Sequence, residues 1–480
     1  MNTTPKPTKK IITRFAPSPT GELHIGSART ALFEYLAGMS TGGKFFLRIE
    51  DTDRTRYVEG SDERLVETLD WLGIIPENRD SIVYQSRRLP IYKNYAFKLV
   101  ENGRAYICTC TKEKLEADRK EQEKTGKLPG YVGTCREANI RPDDIKDGEY
   151  VIRLKTPKSG KVVVHDLVRG NVEFDLALFD DQILLKSDGF PTYHLASVVD
   201  DHEMGINSVL RAEEWLSSTP KHILIYEAFG WDLPDFGHFS MILAPDKTKL
   251  SKRHGSVSVE QFRNDGYLKE AIINFVALLG WNPKNDRELF TLAELEKEFK
   301  VENLNKAPAI FDIQKLKNIN AHYIQTQISN LKAQNDISKI KNYLSNFGVP
   351  TLEQGELDLI GRGGFDTLKE AANYILALRE APDYLPEILI FKRSDKKNTL
   401  LALQVALTKL ENLKEWDADK TQQALEYTVI ENGLGNGDVF WPVRVALSGA
   451  EKSPSPVELM LALGKEESLK RMRRALGKLS

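Results

Sequence analysis

Cysteine is scarce: Cys108, Cys110 and Cys135 are the only three in a chain of 480 residues. An odd, clustered handful excludes a disulfide framework and points to a reducing, cytoplasmic setting, with metal binding left open. Long apolar runs are missing as well. No stretch approaches the ~18–20 residues of a membrane-spanning helix, and the basic segment from Lys6 to Lys10 lies too close to the first apolar run to read as a signal peptide. Neither charge sign is in excess. With 67 Lys+Arg against 69 Asp+Glu the formal net charge is −2, which excludes a globally basic nucleic-acid binder and confines any RNA surface to a local stripe. Packing material is plentiful, at 41% hydrophobic residues. The chain is too long for one core and should divide into about three or more domains.

The stretch from Arg14 to Ser27, Arg-Phe-Ala-Pro-Ser-Pro-Thr-Gly-Glu-Leu-His-Ile-Gly-Ser, organises the first part of the chain. Ile11 to Phe15 reads as a buried strand. Ala28, Ala31, Leu32, Tyr35 and Leu36 form the apolar stripe of an amphipathic helix. Two prolines and a glycine force a loop between them. Strand, loop and helix start make a phosphate-binding geometry, with free backbone N–H groups and the helix dipole facing an anion. His24 adds a donor there, and Gly26 leaves the backbone bare for a flat base. An isolated His-x-Gly in such a place is also compatible with a packing histidine beside a tight turn.

Further on, Lys44 to Ile49 reads as a second strand, with Glu50, Asp51 and Asp53 beyond its carboxyl end, where parallel α/β sheets bind ligands. A carboxylate there either holds an ammonium group or solvates a loop. Asp62 to Leu72 is an amphipathic helix stopped by Gly73. From about Gly103 short strands (162–164 and 172–174) and a charged stretch from Lys112 suggest an α+β insertion. Cys108 and Cys110 could grip one zinc, with Cys135 closing the site, though a fourth ligand is missing; the alternative is a vestigial site of small apolar residues. Later come Pro191-Thr-Tyr193-His-Leu-Ala-Ser197, the strand Ser208 to Arg211 followed by Ala212-Glu213-Glu214-Trp215, and a helix capped by Thr219 with Pro220 at its first position. Asp246-Lys-Thr-Lys249-Leu-Ser251-Lys252-Arg-His-Gly is a basic, glycine-ended loop. Beyond Phe311 the chain reads as helical throughout, with a strongly basic face from Lys465 to Lys478.

These blocks resemble class I aminoacyl-tRNA synthetases in their glutamyl, bacterial form. The resemblance rests on the Arg14–Ser27 block (Ser27 standing where the name-giving motif has a second histidine), on Ile-Glu-Asp-Thr-Asp-Arg, on Leu-Arg-Ala-Glu-Glu-Trp, and on Lys-Leu-Ser-Lys-Arg; it covers essentially the whole chain. It implies a Rossmann-type α/β catalytic domain (1–103 and 188–245) split by a connective, acceptor-stem-binding insertion (104–187). A stem-contact domain with the Lys-Leu-Ser-Lys-Arg loop (246–325) and an all-α anticodon-binding region (326–480) would follow. The implied reaction activates L-glutamate with ATP and Mg²⁺ and transfers it to tRNA-Glu, in a monomer. His24, Lys249 and Lys252 would stabilise the phosphoryl oxygens. Pro17, Gly26, Glu214, Trp215, Ile242 and Ser251 would join them around ATP. Arg14, Ala16, Ser18, Glu50, Tyr193, Ser197 and Arg211 would form the glutamate pocket, where several relatives have asparagine in place of Ser197. For the thiol cluster, some glutamyl relatives have Cys-x-Cys followed by Cys-x-His, with Glu137 here at the histidine's place. Other members of the superfamily use a Tyr-x-x-x-Cys pair, which Tyr131 and Cys135 reproduce. The resemblance thus implies Tyr131 or Glu137 as the fourth ligand. Relatives that charge only tRNA-Glu are similar in carrying an arginine just before a Phe-Asp-Thr-like turn. Gly364 holds that place here, so tRNA-Gln is an expected second substrate unless Arg362 swings in. A glutaminyl-type enzyme, a cytidylyltransferase-like enzyme and an idle RNA-binding paralogue are the competing readings.

Overall fold

The computed structural model describes residues 9–53, 55–126, 129–255, 257–333 and 338–480; the side chains of 252, 331–333 and 339 lie outside the described part. Two compact units emerge. One runs from the N-terminal part to Phe262 and includes Ile272–Asp312; the other combines Arg263–Ala271 with Ile313–Ser480.

In the first unit β1 (Ile12–Phe15) leads through the Pro-rich loop into α1 (Ile25–Ser40), β2 (Lys44–Ile49), α2 (Ser61–Leu72) and β3 (Val83–Tyr84). The three strands pair in parallel in the order 1-2-3. The α1 stripe is buried as expected, but Phe33 and Glu34 on another face are fully buried too. Tyr35 of α1 reaches Glu296 of a later helix, so α1 is covered from the side away from the sheet.

The chain then passes through α3 (Leu89–Glu101), β4 (Ala105–Cys108), α4 (Lys112–Lys124), β5 (Val151–Leu154), β6 (Lys161–Asp166), β7 (Gly170–Asp175) and β8 (Ile183–Leu185). Only β4, β5 and β8 make a sheet of their own. The β6–β7 hairpin instead joins the second half of the nucleotide-binding sheet. After α5 (Tyr193–Glu203), β9 (Ser208–Ala212), α6 (Thr219–Phe229) and β10 (Asp235–Phe239), the strands line up as 7-6-10-9, and β6 runs parallel to β10 through Asp166 and Phe236. Leu99, Ile107, Ile152, Val164, Leu195, Val209 and Phe236 share one apolar core. The stretch 104–187, expected as an insertion, is therefore knitted to the sheet on both counts: burying its apolar strand faces required a surface it did not supply itself.

The two halves of the sheet meet where β1 lies beside β9. Asn207 joins them, donating its N–H to the Ile12 carbonyl (3.1 Å) and accepting the Ile12 N–H on its side chain (2.8 Å). One turn along, the ladder gives way: the Leu210 N–H donates to Glu34 Oε1 of α1 (3.1 Å). A sheet whose order reverses at this seam opens a crevice at the carboxyl ends of the adjoining strands. The unit also holds β11 (Ile242–Leu243), α7 (Val259–Asn264) as far as Phe262, α8 (Lys269–Leu278) from Ile272 onward, α9 (Leu292–Glu298) and β12 (Ala309–Ile310), with β11 pairing to β12.

The second unit is helical. Its helices are α10 (Ile313–Ala333), α11 (Ser338–Ser345), α12 (Gln354–Gly361), α13 (Leu368–Arg379), α14 (Lys396–Glu411), α15 (Ala418–Asn432), α16 (Asn436–Ser448) and α17 (Pro456–Leu479). Helix α17 is broken at Gly464, where φ is +74°. No described helix is long and apolar enough to cross a membrane.

Candidate active site

A cleft of about 950 Å³ opens at the carboxyl ends of β1, β2 and β9. Of the residues expected around ATP and glutamate, Arg14, Ala16, Pro17, Ser18, His24, Gly26, Glu50, Tyr193, Arg211, Glu214, Trp215, Ile242 and Lys249 all line it. Ser197 does not: it is fully buried and accepts a hydrogen bond from Arg48 (3.3 Å). Ser251 lies off the lining too, its backbone N–H directed to His254 Nδ1 (3.2 Å). The Lys252 side chain is outside the described residues.

His24 is the N-cap of α1, and its Nδ1 accepts the Gly26 N–H (3.0 Å). A neutral ring therefore carries its proton on Nε2 and acts as a donor there. The Ile25 N–H is taken by the Val257 carbonyl (2.8 Å). The expectation of free N–H groups facing an anion is thus narrowed, because two of the first donors of α1 are already spent. A Cβ built on Gly26 would meet only the His24 ring, at 3.4 Å, so that side of the backbone is otherwise open.

The floor of the cleft is a cluster of buried charges. Arg14 donates to Asp201 (2.8 Å) and Glu34 (3.2 Å). Arg48 donates to Asp201 (2.6 Å) and Glu50 (3.1 Å), with Asp200 at 3.7 Å. Burial works against both guanidinium charges, but Asp201 first, then the remaining carboxylates, hold them more strongly protonated than usual. Burial raises the Glu50 carboxyl, with Arg48 and Arg14 pulling it back.

Arg211 differs. Its Nε–H donates to His238 Nε2 (3.0 Å), Nη1 to the Tyr193 hydroxyl (2.9 Å) and Nη2 to Thr219 Oγ1 (2.9 Å). Among the described residues no carboxylate forms an ion pair with it, and burial lowers its proton affinity, contrary to Arg14 and Arg48. Arg14 and Arg211, both expected in the glutamate pocket, are thereby separated: the first is neutralised from within, the second is a buried cation with no carboxylate ion-paired to it among the described residues. Thr219, expected as a helix cap, is instead the first residue of α6, with Ser218 as the cap position. A short helical turn from Glu213 to Ser218 precedes it, which leaves the Thr219 hydroxyl for Arg211.

Opposite α1, the Lys249 ammonium pairs with Glu214 (2.7 Å), both on the exposed side. The loop carrying it is tied by Asp246 to Thr248 (2.7 Å) and by His254 to Ser251. Trp215 packs on Tyr193, ring centroids 5.1 Å apart.

Away from the cleft, the ligand atoms of Cys108, Cys110 and Cys135 lie within 4.8 Å of one another, the one metal-ready group of His, Cys, Asp and Glu side chains among the described residues. The Tyr131 hydroxyl sits 3.3 Å from Cys108 Sγ and 3.8 Å from Cys110 Sγ. Glu137, the other expected fourth ligand, is exposed and turned toward Arg136 (3.7 Å) and Lys155 (3.8 Å). A tetrahedral zinc with bonds near 2.3 Å separates its sulfurs by ~3.8 Å; Cys110 and Cys135 stand 3.5 Å apart. The donor set fits the metal.

Sequence reasoning did not single out Arg48, Asp201, Glu34 or His238. Asp200 and Asp201 stand side by side in the sequence, but nothing local distinguishes their buried role from solvation.

A parallel sheet with its crevice at the reversal of strand order, a histidine-capped phosphate-type helix start and an opposing lysine loop together define a class I synthetase catalytic domain. Accordingly, residues 10–318 match the family described as tRNA synthetases class I (E and Q), catalytic domain, and residues 357–476 match an anticodon binding domain. The chain is 44% identical to glutamate–tRNA ligase 2 of Thermoanaerobacter pseudethanolicus, over 97% of this chain and 98% of that one. It is 41% identical to the glutamate–tRNA ligase of Clostridium novyi, over 98% of each. A solved glutamate tRNA ligase from Elizabethkingia meningosepticum, in complex with its amino acid, superposes with a TM-score of 0.85 at 34% identity, covering 98% of this chain and all of that one. The chain belongs to the glutamate–tRNA ligases of bacterial type, enzymes of the ATP-using class I synthetase family, which sets aside the cytidylyltransferase-like reading.

Proposed function

We propose that the cleft holds glutamate with its side-chain carboxylate on Arg211 and Tyr193 and its ammonium toward Glu50, while ATP lies between the start of α1 and the 246–254 loop. The observation that carries this is the buried Arg211 guanidinium with only neutral partners. An arriving carboxylate supplies the missing charge in bidentate form. Glutamine leaves it unmet, a penalty of about 3–5 kcal/mol. The free α-carboxylate of glutamate attacks the α-phosphorus and pyrophosphate leaves. Mg²⁺ enters with the phosphates. No protein nucleophile is required, so catalysis is positioning and charge stabilisation, with His24 on one side and Lys249 on the other, joined on the strength of the Lys-Leu-Ser-Lys-Arg block by Lys252. The terminal adenosine of tRNA then takes the glutamyl group on its 2′-hydroxyl. Arg211→Ala should raise the KM for glutamate at least about a hundredfold while the KM for ATP stays near wild type, in glutamate-dependent ATP/pyrophosphate exchange with tRNA present. Unaltered glutamate affinity would overturn the assignment.

The same reading extends to tRNA-Gln. Gly364 offers no side chain to read the third anticodon base, and its φ of +96° beside Gly363 at +93° is backbone that an arginine rarely adopts. Arg362, the alternative reader, is engaged by Glu458 at 2.8 Å. Charging of tRNA-Glu and tRNA-Gln transcripts side by side is the test: comparable glutamylation supports relaxed specificity, and rejection of tRNA-Gln by a factor of about a thousand, more than one lost base contact accounts for, ends it. We also infer one structural zinc on Cys108, Cys110, Cys135 and Tyr131, and a monomer acting in the cytoplasm, where thiols as close as Cys110 and Cys135 stay reduced.

A further inference from the structure

Arg211 has five N–H donors in a rigid plane. Three are committed, to His238, Tyr193 and Thr219, and two remain for a ligand in the cleft. Which two remain depends on how the plane is turned, and that is decided beneath it. The Arg211 Nε–H cannot rotate and can only donate, so His238 Nε2 must be an unprotonated acceptor (3.0 Å). The proton of the neutral ring then sits on Nδ1, which faces Asp166 Oδ2 at 2.5 Å. Asp166 is itself immobilised: its Oδ1 accepts the N–H groups of Val168 (2.9 Å), Arg169 (2.7 Å) and His238 (3.2 Å). The imidazole is fully buried and the Asp166 and Arg211 side chains nearly so, which removes water as a substitute partner. Asp166 ends β6, one of the two strands that the 104–187 stretch contributes to the sheet, and His238 lies on the neighbouring β10.

We propose that Asp166 and His238 are positioning residues for glutamate selection: Asp166 holds His238 in its Nδ1–H form, and His238 in turn fixes the plane of Arg211 so that two N–H groups face the substrate carboxylate. This rests on the assignment of Arg211 to that carboxylate. The pair touches no substrate and acts only through Arg211. Burial, which depresses the proton affinity of His238, keeps the ring neutral as the arrangement requires.

The decisive variant is Asp166→Asn. Its Oδ1 keeps the three backbone donors, while its amide offers N–H to His238 Nδ1. That forces the ring proton onto Nε2, donor against donor with Arg211, as an Asp-to-Asn change beneath a histidine traps the wrong tautomer elsewhere. The expected result is a rise of about tenfold or more in the KM for glutamate, the scale of one misdirected charge-assisted hydrogen bond, and a smaller glutamate-over-glutamine ratio. The KM for ATP and the thermal midpoint should stay near wild type. An unchanged KM for glutamate, or a KM for ATP that rises in step with it, would overturn the proposal. Should the variant fail to fold, ¹⁵N-histidine NMR of the wild-type enzyme decides: His238 protonated on Nδ1 alone supports it, and a proton on Nε2 at neutral pH refutes it. Arg211→Ala is measured alongside. If that variant binds glutamate normally, the pocket assignment itself falls. If it loses glutamate while Asp166→Asn does not, only the positioning role falls.

Discussion

Arg14 and Arg211 are chemically the same side chain at the ends of neighbouring strands, and removing them should have opposite signatures. Arg14→Ala leaves Asp201 and Glu34 buried with one cation fewer, which should cost about 3–5 kcal/mol of stability. A markedly lowered unfolding midpoint of the substrate-free enzyme checks this. Arg211→Ala removes a buried charge that has no counter-charge of its own, so its unfolding midpoint should stay close to wild type while glutamate binding collapses. Equal destabilisation by both variants would contradict the division of roles. Lys252→Ala, argued from the sequence block alone, should slow adenylate formation roughly 10²–10³-fold, the usual loss for one oxyanion-type donor. Single-turnover measurement of the adenylate tests that step apart from tRNA charging.

At the scale of elements, the turn between α1 and β2 is set by close approach. A Cβ on Gly43 would stand 1.8 Å from the carbonyl oxygen of Ile11, the residue just before β1, which accepts the Lys44 N–H of β2 (3.0 Å). Gly43→Ala must push β1 and β2 apart, and overpacking of this kind costs about 1–3 kcal/mol or more. The unfolding free energy of the variant in urea is the measurement, and an unchanged midpoint would mean that the turn relaxes freely. The thiol cluster links the end of β4 to the segment around Tyr131 and Cys135. If zinc is bound there, Cys108→Ser should release it and loosen this region, because site formation and folding are coupled. Elemental analysis and proteolysis near residue 130 report both. Stoichiometric zinc in a variant lacking Cys108 and Cys110 would exclude the site.

For the molecule as a whole, pH stability carries the mark of neutral buried histidines. Burial, then Lys221 and Arg211, pushes His194 down to about 4, and His222, hydrogen-bonded to it at 3.1 Å, is lowered as well. The unfolded chain protonates these rings near ~6.5. Their contribution is therefore complete above about pH 6.5 and is lost as pH falls toward 4, at up to ~1.4 kcal/mol per unit per proton. Glu34 and Glu50, raised by burial, work in the opposite direction. The informative quantity is consequently a difference: between pH 7 and 5 the unfolding midpoint of His194→Gln should fall less than that of wild type.

Much of this protein was determined by sequence alone. Helix α1 and strand β2 are local outcomes of apolar periodicity bounded by turn residues, and the lining of the cleft follows from two loops that prolines and glycines force open beside strand ends. The helical character of the C-terminal region was equally readable, since each helix carries its own period. Charge pairing was not local. Which arginine is neutralised and which awaits a ligand depends on Asp201, Glu34, His238 and Asp166, contributed by segments far apart in the chain, and no spacing rule connects them to Arg14 or Arg211. The fate of the β6–β7 hairpin was likewise undecided by its alternation, because a strand's pattern tells which face is buried but not against what. Only the tertiary structure decided these points, for the physical reason that burial and counter-charge are properties of a neighbourhood and not of a segment.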